Sequence, residues 1–264
     1  MFLNKKVGLA LGGGGPRGLA HIGVIKALEE NNIPIDYIAG TSAGALIGGL
    51  YASHLSAKKL EDFAKEVKIN DIATIYGDIG TVSGIAKGNK LEEYLKEVLL
   101  VKNIEDLQKP FIAVSTNAET GEPVYQKSGN LARAIRASSS IPGIFDIVTI
   151  DKDRLTDGGV SEAVPVRAVK KLGAEVVIAV NLDTYNFITT KEKPLATDMG
   201  ALAIKLLRFH LARELCKEAD VVIAPDVADV TSLNLVKFIH GEEIIKLGYQ
   251  ATEKLIPEIK SKLN

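Results

Sequence analysis

The chain of 264 residues has no tryptophan, four histidines and a single cysteine, Cys216. One cysteine makes no internal disulfide, and this usage fits a reducing, cytoplasmic compartment. Aromatics are 5% of the residues, too few to suggest an aromatic membrane anchor. Charge of neither sign dominates. The formal net charge of −1 excludes the general pull of a basic chain on nucleic acid. No run approaches the ~20 consecutive apolar residues of a spanning helix. Met1–Leu11 holds two lysines but no apolar stretch of signal-peptide length. Any lipid partner is therefore met from the water side, by peripheral membrane contact.

What is present suits one substantial α/β domain: 46% hydrophobic and 25% charged residues, with no tandem repeat or low-complexity tract. Val7–Leu11 is a short apolar run that reads as a strand, broken by Gly12–Gly15. Leu19–Glu30 has helical periodicity, Ile35–Ala39 reads as a second strand, and Ala43–His54 as a second helix. This βαβα opening predicts a mainly parallel sheet covered by helices, a three-layer α/β/α fold. Further helices are expected over Ala57–Lys68, Lys90–Leu100, Leu131–Ala137, Val164–Leu172 and Met199–Lys217, and over most of Leu233–Lys262. Strands are expected at Pro110–Asn117, Pro123–Gln126, Glu175–Asp183 and Val221–Ala224, with a hairpin formed by Ile147–Ile150 and Arg154–Thr156. The glycine-rich stretch Asn70–Gly88 reads as a loop and Thr184–Thr197 as a polar connection.

Gly40-Thr41-Ser42-Ala43-Gly44 fits G-x-S-x-G between a strand and a helix. A serine on such a sharp turn holds its hydroxyl above the sheet, and crowding demands small residues two places before and after it. The following helix aims its first N–H groups and positive dipole end at the reacting centre. The ordinary alternative is that Ser42 merely caps that helix.

Gly12–Gly15 and Pro16-Arg17-Gly18 follow the first strand, and Gly13–Gly18 fits G-x-G-x-x-G. Successive glycine N–H groups can converge on an anion. The nucleotide-hydrolase phosphate loop is excluded, because G-K-[ST] is missing. A dinucleotide site wants an acid at the end of the second strand, whereas Asp36 stands at its start. The competing reading is an oxyanion hole for acyl transfer, at the same end of the sheet as Ser42. Arg17 adds positive charge, either to hold the loop or to meet a substrate phosphate.

A serine nucleophile needs a base. His21 falls near the apolar face of the first helix, His54 ends the second, and His210 and His240 lie in helical patterns. A triad of Ser42, Asp157 and a late histidine follows α/β-hydrolase order, but those enzymes place the histidine in a loop. Asp157-Gly158-Gly159 closes the expected hairpin. Burial would make this carboxylate a stronger base, able to act on a serine directly. Its ordinary alternative is an Asx turn.

The three segments occur together and in order. Gly13–Gly18, Gly40–Gly44 and Asp157–Gly159 resemble the G-G-G-x-R/K-G, G-x-S-x-G and D-G-G/A motifs of patatin-like phospholipases. Gly18–Val24 and Ala137–Phe145 resemble two supporting blocks of the same family, and the likeness is closest to small bacterial members. It implies a patatin-like catalytic domain over residues 6–183, with 184–264 as a helical extension packed on it. It also implies a lipid or phospholipid ester substrate and a Ser42–Asp157 dyad without histidine. Gly13, Gly14, Gly15 and Arg17 would stabilise the oxyanion, and Gly18, Gly40, Gly44, Gly158 and Gly159 are its motif glycines. No metal or cofactor is implied. A different class of function stays open beside it, a regulatory or interaction protein that keeps the fold with little turnover. Met199–Lys217 reads as a helix on the sheet, a lid or a homo-oligomer face.

Overall fold

The computed structural model describes residues 5–66, 86–184, 196–228 and 241–264. One sheet organises them. Its strands are β1 (Val7–Leu11), β2 (Tyr37–Thr41), β3 (Phe111–Asn117), β4 (Pro123–Gln126), β5 (Val148–Ile150), β6 (Asp153–Asp157), β7 (Val176–Val180) and β8 (Val221–Ile223). Their order is β5-β6-β3-β2-β1-β7-β8, with β4 also paired to β3. The β3-β2-β1-β7-β8 stretch is parallel, whereas β4 and β6 run antiparallel to β3, and β5 to β6.

Both faces of the sheet are covered, so β1 and β7 are apolar throughout and successive side chains of the strands enter different clusters. Val7, Leu9, Leu11, Ile38, Phe111, Val176, Ile178 and Val180 point to one apolar cluster. Ala10, Ala39, Ile112, Val114, Val177 and Ala179 point to the other. The first face receives α1 (Ala20–Glu30), α2 (Ala43–His54), α3 (Ala57–Glu66), α4 (Asn89–Val98) and α5 (Leu131–Ser138). The second, lined by smaller side chains, receives α6 (Val166–Lys171) and the end of α7 (Ala196–Cys216). This is the expected three-layer α/β/α arrangement.

The C-terminal part shares this core. β8 pairs with β7, and α8 (Gly241–Glu253) crosses α1 closely. A Cβ on Gly23 would sit 1.8 Å from Ile245 O, and one on Gly248 2.0 Å from Ala20 O, so the crossing needs both glycines. α9 (Ile256–Leu263) buries Ile259 in the first cluster.

Some bounds differ from expectation. β2 begins two residues late, because Asp36 accepts the Val7 N–H through Oδ2 at 2.9 Å and occupies that rung of the ladder. α6 starts at Val166, after Pro165. The long C-terminal helical pattern divides into α8 and α9 where Pro257 opens the second. Within the expected Asn70–Gly88 loop only 86–88 is described, and there Ala86 bridges to Phe145. Positions 67–68, 185–195 and 233–240, which fall in the expected Ala57–Lys68 helix, polar connection and C-terminal helix, lie outside the described residues.

Candidate active site

The sheet brings Ser42 and Asp157 together by register. β2 pairs with β3 as far as Thr41 opposite Val114. The next residue of β3, Ser115, pairs with Asp157 of β6. Because β6 is antiparallel, β2 and β6 meet end to end along one edge of β3, while β4 takes the other edge. The residues after Thr41 and after Asp157 therefore emerge at one point.

Ser42 has φ 55° and ψ −121°, a sparsely populated conformation for a side-chain-bearing residue. Such backbone stores about 1–3 kcal/mol and persists only where its surroundings impose it. A Cβ on Gly40 would meet Gly44 O at 2.3 Å, and one on Gly44 would meet Leu11 O at 2.0 Å, so the turn has no room beside the serine. The Ser42 N–H donates to Ser138 Oγ at 2.9 Å, and Ser138 Oγ donates to Val114 O at 2.5 Å. Ser42 O accepts the N–H groups of Ala45 and Leu46 at the start of α2.

Asp157 is buried at 2% exposure. Its N–H donates to Ser140 O at 3.0 Å and its carbonyl accepts from Thr116 Oγ1 at 2.9 Å. Oδ1 accepts the Gly159 N–H at 2.7 Å, whereas Oδ2 is buried without a well-formed hydrogen bond among the described residues. The Ser42 hydroxyl is near enough to this carboxylate to help hold its pKa down. Burial pushes the Asp157 carboxyl above its usual range, against the pull of the Arg208 guanidinium, the Ser42 hydroxyl and the Gly159 N–H. The segment 138–140 thus pins both members: Ser138 holds the Ser42 backbone and Ser140 the Asp157 backbone. Sequence reasoning marked this segment only by its resemblance to a family block.

The described histidines have other employment. His21 is buried, with Nε2 2.7 Å from Gly12 O, and burial lowers its pKa to about 4. His54 Nε2 lies 2.8 Å from Val98 O and its ring packs edge-on to Phe63. His210 is exposed on α7. His240 lies outside the described residues.

The glycine loop passes over the carboxyl end of β1, where the strand order turns back toward β7. The N–H groups of Gly12 and Gly13 donate to Val180 O and Ala163 O at 3.0 Å, fixing the start of the loop. Gly15 lies farther along and lines the same cavity as Ser42 and Ala43. Arg17, 2% exposed, donates to Gly14 O at 3.2 Å and Thr184 O at 3.3 Å and pairs with Asp183 at 3.5 Å, so it holds the loop from behind. Asp183 also pairs with Arg208 of α7 at 3.1 Å. Asp183 lies three residues beyond the carboxyl end of β7, a local signal that could have marked it; no spacing marks Arg208.

A cavity of about 150 Å³ opens from Ser42 between α1, α2, α3 and α4. Ala43, Leu46, Ile47 and Leu50 of α2 form one wall at helical spacing, opposite Ile22, Phe63 and Leu91. Its chemistry is that of a slot for an apolar chain ending at a serine hydroxyl. No described helix is long and apolar enough to cross a membrane. Among the described residues no three metal-ligating side chains gather.

The strained serine turn and the glycine loop thus border an apolar cavity, with Asp157 buried behind them, and comparison with known sequences identifies the family. The signature described as Patatin-like phospholipase matches residues 9–170, more than half of the chain, and the chain belongs to that family. Among its relatives, the mouse (Mus musculus) patatin-like phospholipase domain-containing protein 6 is 32% identical over 253 residues, 93% of this chain and 18% of that protein. An uncharacterized NTE family protein of Mycobacterium tuberculosis is 37% identical over 183 residues, 68% of this chain and 50% of that protein. Lysophospholipase NTE1 of Meyerozyma guilliermondii is 29% identical over 285 residues, 98% of this chain and 20% of that protein. The chain thus spans no more than half the length of these relatives. In solved structures the fold resembles VipD from Legionella pneumophila, with a TM-score of 0.55 at 14% identity over 96% of this chain and 67% of that one.

Proposed function

We propose that this chain is a serine acyl hydrolase that cleaves a carboxylic ester of a lipid through Ser42 and Asp157. The observation that carries the reading is the meeting of the Ser42 turn with buried Asp157 at the end of an apolar cavity. The acyl chain lies in that cavity, which puts the ester carbonyl at Ser42 Oγ. Asp157 takes the hydroxyl proton as Oγ attacks, and a tetrahedral oxyanion forms. The N–H groups of Gly14, Gly15 and Ala43 receive that charge, while Gly13 and Arg17 keep the loop in place. Collapse expels the alcohol, which takes the proton from Asp157, and leaves an acyl-serine. Water then repeats the sequence and releases the fatty acid. The raised pKa of Asp157 suits this work, because a carboxylate at its ordinary pKa is a weak base.

The fungal relative's name supplies a substrate class, a lysophospholipid. Purified protein given lysophosphatidylcholine is expected to release free fatty acid, with S42A and D157N each at least about 10³-fold slower. Equal release by all three proteins overturns the assignment.

A further inference from the structure

Helix α7 lies outside the residues that carry the family signature, yet one of its side chains ends at the site. Its second half is anchored, with Ala212 and Cys216 buried in the sheet's second apolar cluster. Arg208 stands one turn before Ala212, on the same side of the helix, and so is carried to the carboxyl ends of the strands. The guanidinium is closely placed there. Nη2 lies 3.1 Å from Asp183 Oδ2 and 3.0 Å from the point a Cβ on Gly13 would occupy. Nη1 lies 2.9 Å from the corresponding point at Gly159, and Asp157 Oδ1 is 2.9 Å from that same point. The cation and the carboxylate therefore flank one glycine, where a side chain would have no room between them. Asp183 is itself fixed: it is buried, its N–H donates to Asn181 Oδ1 at 2.9 Å, and its second oxygen faces Arg17.

We propose that Arg208 is a positioning residue of the reaction: anchored on Asp183, its guanidinium supplies the cation that keeps the Asp157 carboxylate charged and aimed at Ser42. The proposal rests on the Ser42–Asp157 reading given above. The groups facing Asp157 are the Ser42 hydroxyl from the turn after β2, the Gly159 N–H, Arg208 from α7 and Asp183 beyond β7, whose own charge Arg17 shares. Burial and Asp183 favour the protonated acid, and Arg208 is the strongest influence in the other direction. Without this cation the buried carboxylate takes up a proton at a higher pH, and the enzyme loses its base there.

The experiment is the pH dependence of kcat/KM on a soluble neutral ester, p-nitrophenyl butyrate, beside lysophosphatidylcholine. R208Q is expected to move the acid limb upward by about one pH unit or more on both substrates, which is about a tenfold loss per unit below the limb. R208K, which keeps the charge, restores the limb most of the way to wild type. R208M reads the same limb should R208Q fail to fold. An unmoved limb in R208Q or R208M overturns the proposal. So does a loss confined to KM for the phosphate-bearing substrate, which makes Arg208 a headgroup anchor instead. Failure of the underlying reading looks different: D157N then retains turnover, whatever Arg208 does.

Discussion

Ser138 Oγ accepts the Ser42 N–H at 2.9 Å from 96 residues away in sequence and donates its own proton to Val114 O at 2.5 Å, tying the serine turn to the adjacent strand. Ser138 is fully buried, so no water replaces it. Ser138→Ala leaves both groups without a partner, at a cost of about 1–3 kcal/mol. Its thermal midpoint is expected to fall by several degrees, and kcat to fall at least about tenfold as the turn relaxes from its strained φ. Calorimetry and ester hydrolysis read the two effects. A variant with lowered stability and unchanged kcat would show that Ser138 supports the fold alone.

Asp157 predicts a trade of activity against stability. Its folded pKa is raised by burial, so as pH climbs above the ordinary carboxylate range the unfolded chain ionises first and stability declines. Asp157→Asn keeps Oδ1 as the acceptor for Gly159 N–H and removes the buried charge. At pH 7 the variant is expected to melt about 2–5 °C higher than wild type and to lose turnover. A lower melting temperature would mean that Arg208 and its neighbours more than offset the burial of the charge.

His21 predicts the opposite slope with acid. Its folded pKa is about 4 against an ordinary 6.5, because the buried ring stays neutral while Nε2 meets Gly12 O. As pH falls below about 6.5 the unfolded chain takes up the proton first, and stability is lost down to about pH 4. The full loss is about 3 kcal/mol. His21→Gln keeps a donor for Gly12 O and cannot titrate. Urea unfolding at pH 7 and pH 5 is expected to show a drop of about 2 kcal/mol in wild type that is largely absent from the variant.

Leu46 lies on the cavity wall one turn beyond Ala43. Leu46→Trp fills the slot beyond the reacting serine. Esters with long acyl chains are expected to lose at least about tenfold in kcat/KM, whereas acetyl esters keep theirs. A uniform loss across chain lengths would place the acyl chain elsewhere.

The local parts of this site were legible in the sequence, and their long-range assembly was not. The G-x-S-x-G turn announced its own crowding, and α2 runs over the Ala43–His54 span expected of it. The D-G-G turn and the glycine loop carried similar short-range signals. Strand β2 was misplaced by two residues because the Asp36 carboxylate, not a backbone group, closes the first rung. Ser138 and Arg208 left no comparable mark. Ser138 acts on Ser42 through one hydrogen bond fixed by the packing of α5, and Arg208 reaches Gly13 from a helix on the far side of the sheet. No periodicity encodes a contact that only the closed sheet creates.

The nucleophile itself is tested most directly by mass spectrometry after treatment with a fluorophosphonate. Serine Oγ displaces fluoride and retains the phosphonyl group, so one labelled residue carries the added mass. The account predicts a single adduct on the peptide containing Ser42, no adduct in S42A and much slower labelling in D157N. An adduct on a different serine, or equal labelling of wild type and S42A, would contradict it.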